Sequence, residues 1–389
     1  MNAKFQNGLR RVGCESGICA LLWRICALFA CVLSVELGAA EATEFLRAVE
    51  PRAFEFPRDY GSHPEYQTEW WYLTGSLEDE RGAVFGFQAT WFRRGLSRTA
   101  PPRTSTLAAR DAILFHGALT DVNGKRFAHE HATSRAASTW AGSNTDGLNV
   151  WLFEHVLRSE GDGTWSLTFT VQGRRVALKL QPRRPPLLHG STPGLSIKGS
   201  EPGQASYYVS HTRMEASGTL QASPGETPRA VRGTVWYDQE FGSNQLSADQ
   251  IGWDWFSVPL DEGTDLMLYR LRRSDGSADP ASSGTLRFAD GRRVHLSREA
   301  ATVEVRKHWT SPHTGAKYPA GWTLTIPQER LELSVAPLLD DQELRTEGST
   351  NVNYWEGLCG FEGRVQDQPA KGRGYVELVG YAGAFKGRL

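Results

Sequence analysis

Apolar and polar positions alternate with a period of two along most of this chain, in short runs broken by turn residues. "WSLTFTVQGRRVALKLQP" (165–182) holds two such runs around Gly173, and "GTLRFADGRRVHL" (284–296) holds two around Asp290-Gly291. "WTLTIP" and "LELSVAP" follow the same rule. No long stretch sustains a 3.6-residue apolar spacing, so the pattern predicts an all-β chain with at most a short helix.

The runs also repeat in order. "HGALTDVNGKRF" (116–127) resembles "SGTLRFADGRRV" (283–294), and "EWWYLTGSL" (69–77) resembles "GWDWFSVPL" (252–260). "VRGTVW" (231–236) matches "GRGYVE" (372–377), with Tyr207-Tyr208 and Tyr354-Trp355 upstream of each. Several matches in one order predict a duplication, here two tandem antiparallel β domains at 54–242 and 243–389. Closing each sheet into a barrel removes exposed edges, and a small barrel has room for one ligand. The segment 181–204, rich in Pro and Gly, reads as a long functional loop.

Composition changes this picture in two places. The first is the leader. Residues 1–40 carry four basic residues against two acidic ones, and the basic start precedes "GICALLWRICALFACVLSVELGAA". That order, ending at Gly38 and Ala40, is expected of a signal peptide and of a periplasmic or secreted protein. Lipidation at Cys31 is the minor alternative, opposed by the bulky Phe29. Cys14, Cys19, Cys26 and Cys31 fall in the leader, so after cleavage only Cys359 remains and no internal disulfide forms. The second is charge. A formal net charge of -1 without a basic run excludes nucleic acid as the expected partner. The 13 Trp fit either a large core or a ligand cavity.

The densest chemistry lies in "GTVWYDQEFG" (233–242). Alternation puts Val231, Val235, Tyr237 and Phe241 on one face and Trp236, Asp238 and Glu240 on the other. The second face meets either water or a cavity. In a cavity, the two carboxyls repel, and burial beside Trp raises the pKa of at least one. Such a group stays protonated near neutral pH and acts as an acid. In the matched second-half strand, Val379 and Tyr381 stand level with these acids, which confines the site to the first half. Trp70, Trp71, Trp236, Tyr237, Trp253 and Trp255 are the candidate ligand-binding aromatics. Glu69 reads as the partner of an Arg at the barrel bottom. His63, His116, His129, His131 and His155 lack metal-ligand spacing, so no metal and no cofactor are expected.

"FPRDYGSHPEYQTEWWYLTGSL", "HGSTPGLSIKGSEPGQASYYVSHTRM", "WYDQEFGSNQL", "WTSPHTGAKYPAGW" and "GYVELVGY" together resemble the AttH-like proteins. These share two lipocalin-like domains with the carotenoid 1,2-hydratases. The resemblance spans about residues 54–385. It implies two tandem lipocalin-like antiparallel β-barrels and a hydrophobic ligand of lipid or isoprenoid type. It also implies an ABC transporter permease as partner, with peripheral membrane contact. The hydratase branch adds water to the terminal double bond of an acyclic carotenoid, and Asp238 fits the position of its acid. Of the two activities implied, a ligand-holding accessory protein is the first expectation and a hydratase the second.

Overall fold

The predicted alternation becomes strands. Trp165–Val171 and Arg174–Pro182 pair across the two-residue turn Gln172-Gly173, whose residues both take positive φ (47° and 75°). That is the twist a tight hairpin needs, and Gly supplies it without steric cost. The computed structural model describes residues 44–99, 105, 108–137, 139–243 and 246–385. The predicted signal peptide, including Cys31, lies outside the described residues.

Two large antiparallel sheets belong to one body, Phe45–Leu389. The first has 13 strands and curls into a nearly closed barrel; the second has 10 and forms a half-barrel. The described residues contain three short 3-10 turns, Arg58–Tyr60, Arg298–Ala300 and Pro327–Glu329, and no α-helix. The fold is all-β and of the tandem lipocalin-like type. The loop expectation for 181–204 needs correction, because Leu187–Leu188 and Leu195–Ile197 pair with the strand Ala205–Leu220. Backbone pairing with a long neighbour fixes them despite the Pro and Gly around them.

The sheets share one strand order. The first runs Arg126–Arg135, Asp111–Asp121, Val84–Gly95, Thr68–Asp79, Arg229–Gly242, Ala205–Leu220 and Arg174–Pro182 before its remaining strands. The second runs Arg293–Ser297, Ser283–Arg287, Asp265–Arg273, Gln250–Pro259, Gln368–Val379, Tyr354–Val365 and Leu331–Pro337. In each half the opening strand (Thr68–Asp79 or Gln250–Pro259) therefore pairs with the closing strand (Arg229–Gly242 or Gln368–Val379).

The ladders set the true register of the repeat. Tyr72 is level with Asp238, and Trp255, which matches Tyr72, is level with Glu377. Gly233 and Gly372 mark the same point in each half. A Cβ there would lie 1.9 Å from the Ser76 carbonyl oxygen or 2.5 Å from that of Pro259, so the strands approach only over glycine. Glu377, not Val379, is thus the counterpart of Asp238. The expectation that ionisable groups belong to the first half alone is overturned.

Each sheet encloses its own apolar core. The first contains Trp71, Leu73, Phe87, Trp91, Val235 and Tyr237; the second contains Phe256, Trp322, Leu333, Trp355 and Cys359. A third cluster draws on both sheets, with Tyr72, Tyr208 and Trp236 from one and Trp255, Tyr269 and Tyr375 from the other. This seam positions the site. It is tied at one point by Asp265, which is fully buried. Arg213 and Arg184, both from the first half, reach it at 2.7 and 2.8 Å.

Candidate active site in the seam

The opening and closing strands of the first half are two-faced. Trp71, Leu73, Val235 and Tyr237 point into the barrel, while Trp70, Tyr72, Trp236, Asp238 and Glu240 point into the seam. Strand alternation makes the division unavoidable. The seam holds a cavity of about 310 Å³ lined by Trp70, Phe92, Trp253 and Trp255 among other aromatics, with Asp238, Glu240, Glu356, Glu377 and Lys198 on its wall. That volume lies at the small end for ligand pockets.

Asp238 is buried and held from three sides. The Trp236 indole N–H donates to Oδ1 at 2.6 Å, the Ser210 hydroxyl donates to the same oxygen, and the Tyr208 hydroxyl donates to Oδ2 at 2.5 Å. Tyr208 is itself oriented by the Trp255 indole N–H at 3.0 Å, a donor from the second half. Ser210 is held by His189 Nε2 at 2.6 Å, and His189 Nδ1 reaches Thr285 across the seam at 2.9 Å. Loss of hydration pushes the Asp238 carboxyl up to about 7; the three hydrogen bonds oppose the rise and the neighbouring Glu240 adds to it.

The other acids differ in their surroundings. Glu240 accepts from Ser206 and pairs with the Lys198 ammonium at 3.2 Å. Lys198 is held above its ordinary pKa: burial opposes this, and the charge of Glu240 overcomes it. Its ammonium lies 3.8 Å from the centre of the Tyr269 ring. Glu377 accepts from the Trp253 indole N–H at 2.7 Å. Lost hydration pushes it to about 7, against that hydrogen bond and with help from the charges of Asp238 and Glu240. Glu356 accepts the Tyr72 hydroxyl on Oε1 at 2.6 Å and is pushed well above its ordinary value by burial and by Glu377.

The structure sorts the candidate residues of the sequence. Asp238, Glu240, Trp70, Trp253 and Trp255 come together on the cavity wall. Trp236 stands behind the wall and acts through its bond to Asp238. Trp71 and Tyr237 are corrections, because both project into the first barrel's core, on the strand faces turned away from the cavity. Glu69 meets Arg93 at 3.3 Å and His63 at 2.8 Å in full burial. His116 bonds the Tyr354 hydroxyl at 2.9 Å, and His155 stacks on Phe115 at 4.0 Å. His129 and His131 lie on the strand Arg126–Arg135, and His129 is pushed down to about 4 by burial and by Arg345. Among the described residues no group of three or more His, Cys, Asp or Glu is placed to hold a metal.

Sequence reasoning missed Lys198, Tyr208, Glu356 and Glu377 as site residues. Lys198 lies in the segment singled out for its length, and Glu377 becomes visible once the repeat is set in its true register.

The sequence model of the AttH-like family matches residues 47–381. An AttH protein of Nitrosomonas europaea, solved by crystallography, is 33% identical with a TM-score of 0.78, covering 87% of this chain and 100% of that one. Kievitone hydratase from Nectria haematococca shares the fold at 15% identity and a TM-score of 0.65, over 88% of this chain and 97% of that one. A curated kievitone hydratase of Fusarium solani subsp. phaseoli is 24% identical over 168 residues, 43% of this chain and 46% of its own length. This chain therefore spans about half the length of that curated relative. A hydratase thus stands among its homologues, and the chain itself belongs to the AttH-like family.

Proposed function

We propose that this protein adds water across a carbon–carbon double bond of a hydrophobic, isoprenoid-type substrate, with Asp238 as the acid. One observation carries the reading: a buried carboxyl that holds its proton near neutral pH stands on the wall of an aromatic cavity. Protonating an alkene needs an acid that is not already ionised in its resting state, and it needs surroundings that tolerate a carbocation. Oδ1 of Asp238 accepts two hydrogen bonds and Oδ2 accepts one, so Oδ2 carries the transferable proton. Trp70, Trp253 and Trp255 offer ring faces to the cation. The Glu240 carboxylate, beside Asp238, adds negative potential, and Lys198 holds it in place. The homologous kievitone hydratases, named for a hydration, support the same class of reaction.

The test is incubation with short acyclic isoprenoids and prenylated phenols in H2(18)O, with mass spectrometry of the products. Labelled tertiary alcohol that disappears in Asp238→Asn is the expected result. No product from any of these substrates overturns the reading.

A carrier is the second reading, favoured by the aromatic lining itself. On it, the chain is exported, holds a lipid or isoprenoid unchanged and serves an ABC transporter. Organic extracts of the purified protein distinguish the two, since a carrier yields an unaltered apolar ligand.

A further inference from the structure

The cavity has a second set of acids that the acid-catalysed step leaves unused. Glu377 occupies in the second half the ladder position that Asp238 occupies in the first. Glu356 is level with Glu377 on the adjacent strand, where the first half has Ser210 level with Asp238. Both line the cavity. Glu356 is 1% exposed, and its Oε2 has no partner among the described residues. Gln88, also 1% exposed and on the cavity wall, leaves Oε1 equally unpartnered. An unpaired buried donor or acceptor is costly, so two of them on one cavity point to a small polar ligand that satisfies both.

We infer that Glu377 is the base that takes the proton from the attacking water, and that Glu356 and Gln88 hold that water on the second half's side of the cavity. The inference rests on the hydration reading. In the step, the Asp238 Oδ2–H bond breaks and the alkene π pair forms a C–H bond at the less substituted carbon. A lone pair of water forms the C–O bond at the cationic carbon. One water O–H bond breaks, and its proton passes to the Glu377 carboxylate. Asp238 ends ionised and Glu377 protonated; exchange with solvent restores both. Glu356 donates from Oε2 to the water oxygen, and Gln88 Oε1 accepts the hydrogen that is not transferred.

The electrostatics agree with a division of labour. Asp238 raises the pKa of Glu377, and both groups lie at about 7, so near neutrality one tends to hold a proton while the other is ionised. The titratable and charged groups that line the cavity with them are Tyr72, Arg94, Lys198, Tyr208, Glu240, Tyr269, Tyr354 and Glu356.

The duplication thus turns one acid into an acid–base pair across the seam. The experiment uses the full chain and geraniol in D2O. Deuteron transfer from Asp238 followed by loss of the original proton from the cation puts deuterium at the less substituted alkene carbon without water addition, so the two half-steps are read separately. In Glu377→Gln, whose side-chain oxygen still accepts from Trp253, hydration should fall by about a hundredfold while vinyl exchange persists. In Asp238→Asn both should vanish. If Glu377→Gln hydrates as fast as the wild type, the inference is overturned and the hydration reading stands. If the wild type neither exchanges nor hydrates geraniol, the hydration of isoprenoid alkenes is overturned and this inference with it. A second measurement needs no substrate. Carboxyl 13C titration should show the Glu377 midpoint falling in Asp238→Asn, and an unmoved midpoint overturns the pairing.

Discussion

The strands Thr68–Asp79 and Arg229–Gly242 each serve two different solvents. On the barrel side, Trp71 and Tyr237 are almost fully buried, and the Trp71 indole N–H bonds the Tyr60 carbonyl at 3.0 Å. On the seam side, one residue away along each strand, stand Tyr72 and Asp238, whose polar atoms meet other side chains or the cavity. Both faces are rich in aromatics, so apolarity does not distinguish them. What differs is the handling of charge. The barrel interior is closed by packing, and its buried acid Glu69 is neutralised by Arg93 and His63. In the seam, Asp238, Glu356 and Glu377 make no ion pair among the described residues, and burial drives all three upward. Packing alone accounts for the first region. The second carries a persistent electrostatic cost, which a structural role would not need.

The largest expected effect separates the two faces by function. Asp238→Asn keeps the shape and removes the proton donor, so hydration should fall by about 10²–10⁴-fold with the fold intact by circular dichroism. Trp71→Ala, on the opposite face, should do the reverse. Truncating a buried Trp costs about 3–5 kcal/mol, visible as a lower denaturant midpoint, while the activity of the folded fraction persists. An Asp238 variant that loses stability and activity together would erase the distinction.

The next effect is a pH dependence confined to the seam. The Asp238 carboxyl lies at about 7 in the folded chain against an ordinary value of 3.8. Between those values the folded state binds a proton that the unfolded state has released. Stability contributed by that proton is full below about pH 4 and is lost as pH rises through 7. Asp238→Asn lacks this loss. Its stability relative to the wild type should therefore rise across the same window, by up to about 4 kcal/mol above pH 8. Chemical denaturation at pH 4, 6 and 8 reads the difference, and a constant offset would contradict it.

Much of this was legible in the sequence because a period of two needs no tertiary information. It placed Trp236, Asp238 and Glu240 on one face, and the residues around them identified that face as a candidate cavity. It also separated Trp71 from Trp70, so only one of the pair can line any given cavity. The second half's acids were hidden for a definite reason. Sliding the repeat by one residue swaps the faces and is conspicuous, but sliding it by two preserves the alternation. Matching Gly233 to Gly374 instead of Gly372 is such a slip, and it moved Glu377 away from the level of Asp238. Lys198 was hidden because it follows a three-residue strand whose pairing with Ala205–Leu220 has no periodic signature.

The smallest expected effect compares two tyrosines at one ladder position. Tyr208 is level with Glu240, and Tyr354 is level with Val379. Tyr208 donates to Asp238 Oδ2, whereas the Tyr354 hydroxyl bonds His116 Nδ1. His116 is pushed down to about 3 by burial, so the bond joins two neutral groups. A hydrogen bond to the ionised form of Asp238 lowers its pKa, and such a bond is worth about 1.5–3 kcal/mol. Tyr208→Phe should therefore raise the Asp238 midpoint by about one pH unit, at 1.36 kcal/mol per unit. Because the acid must be protonated to act, the alkaline limb of the rate profile should move to higher pH by the same amount. Tyr354→Phe removes a hydroxyl from the equivalent position but none from Asp238, and should leave that limb in place. Equal shifts in both variants would mean that the limb reports the seam's general polarity and not the proton on Asp238.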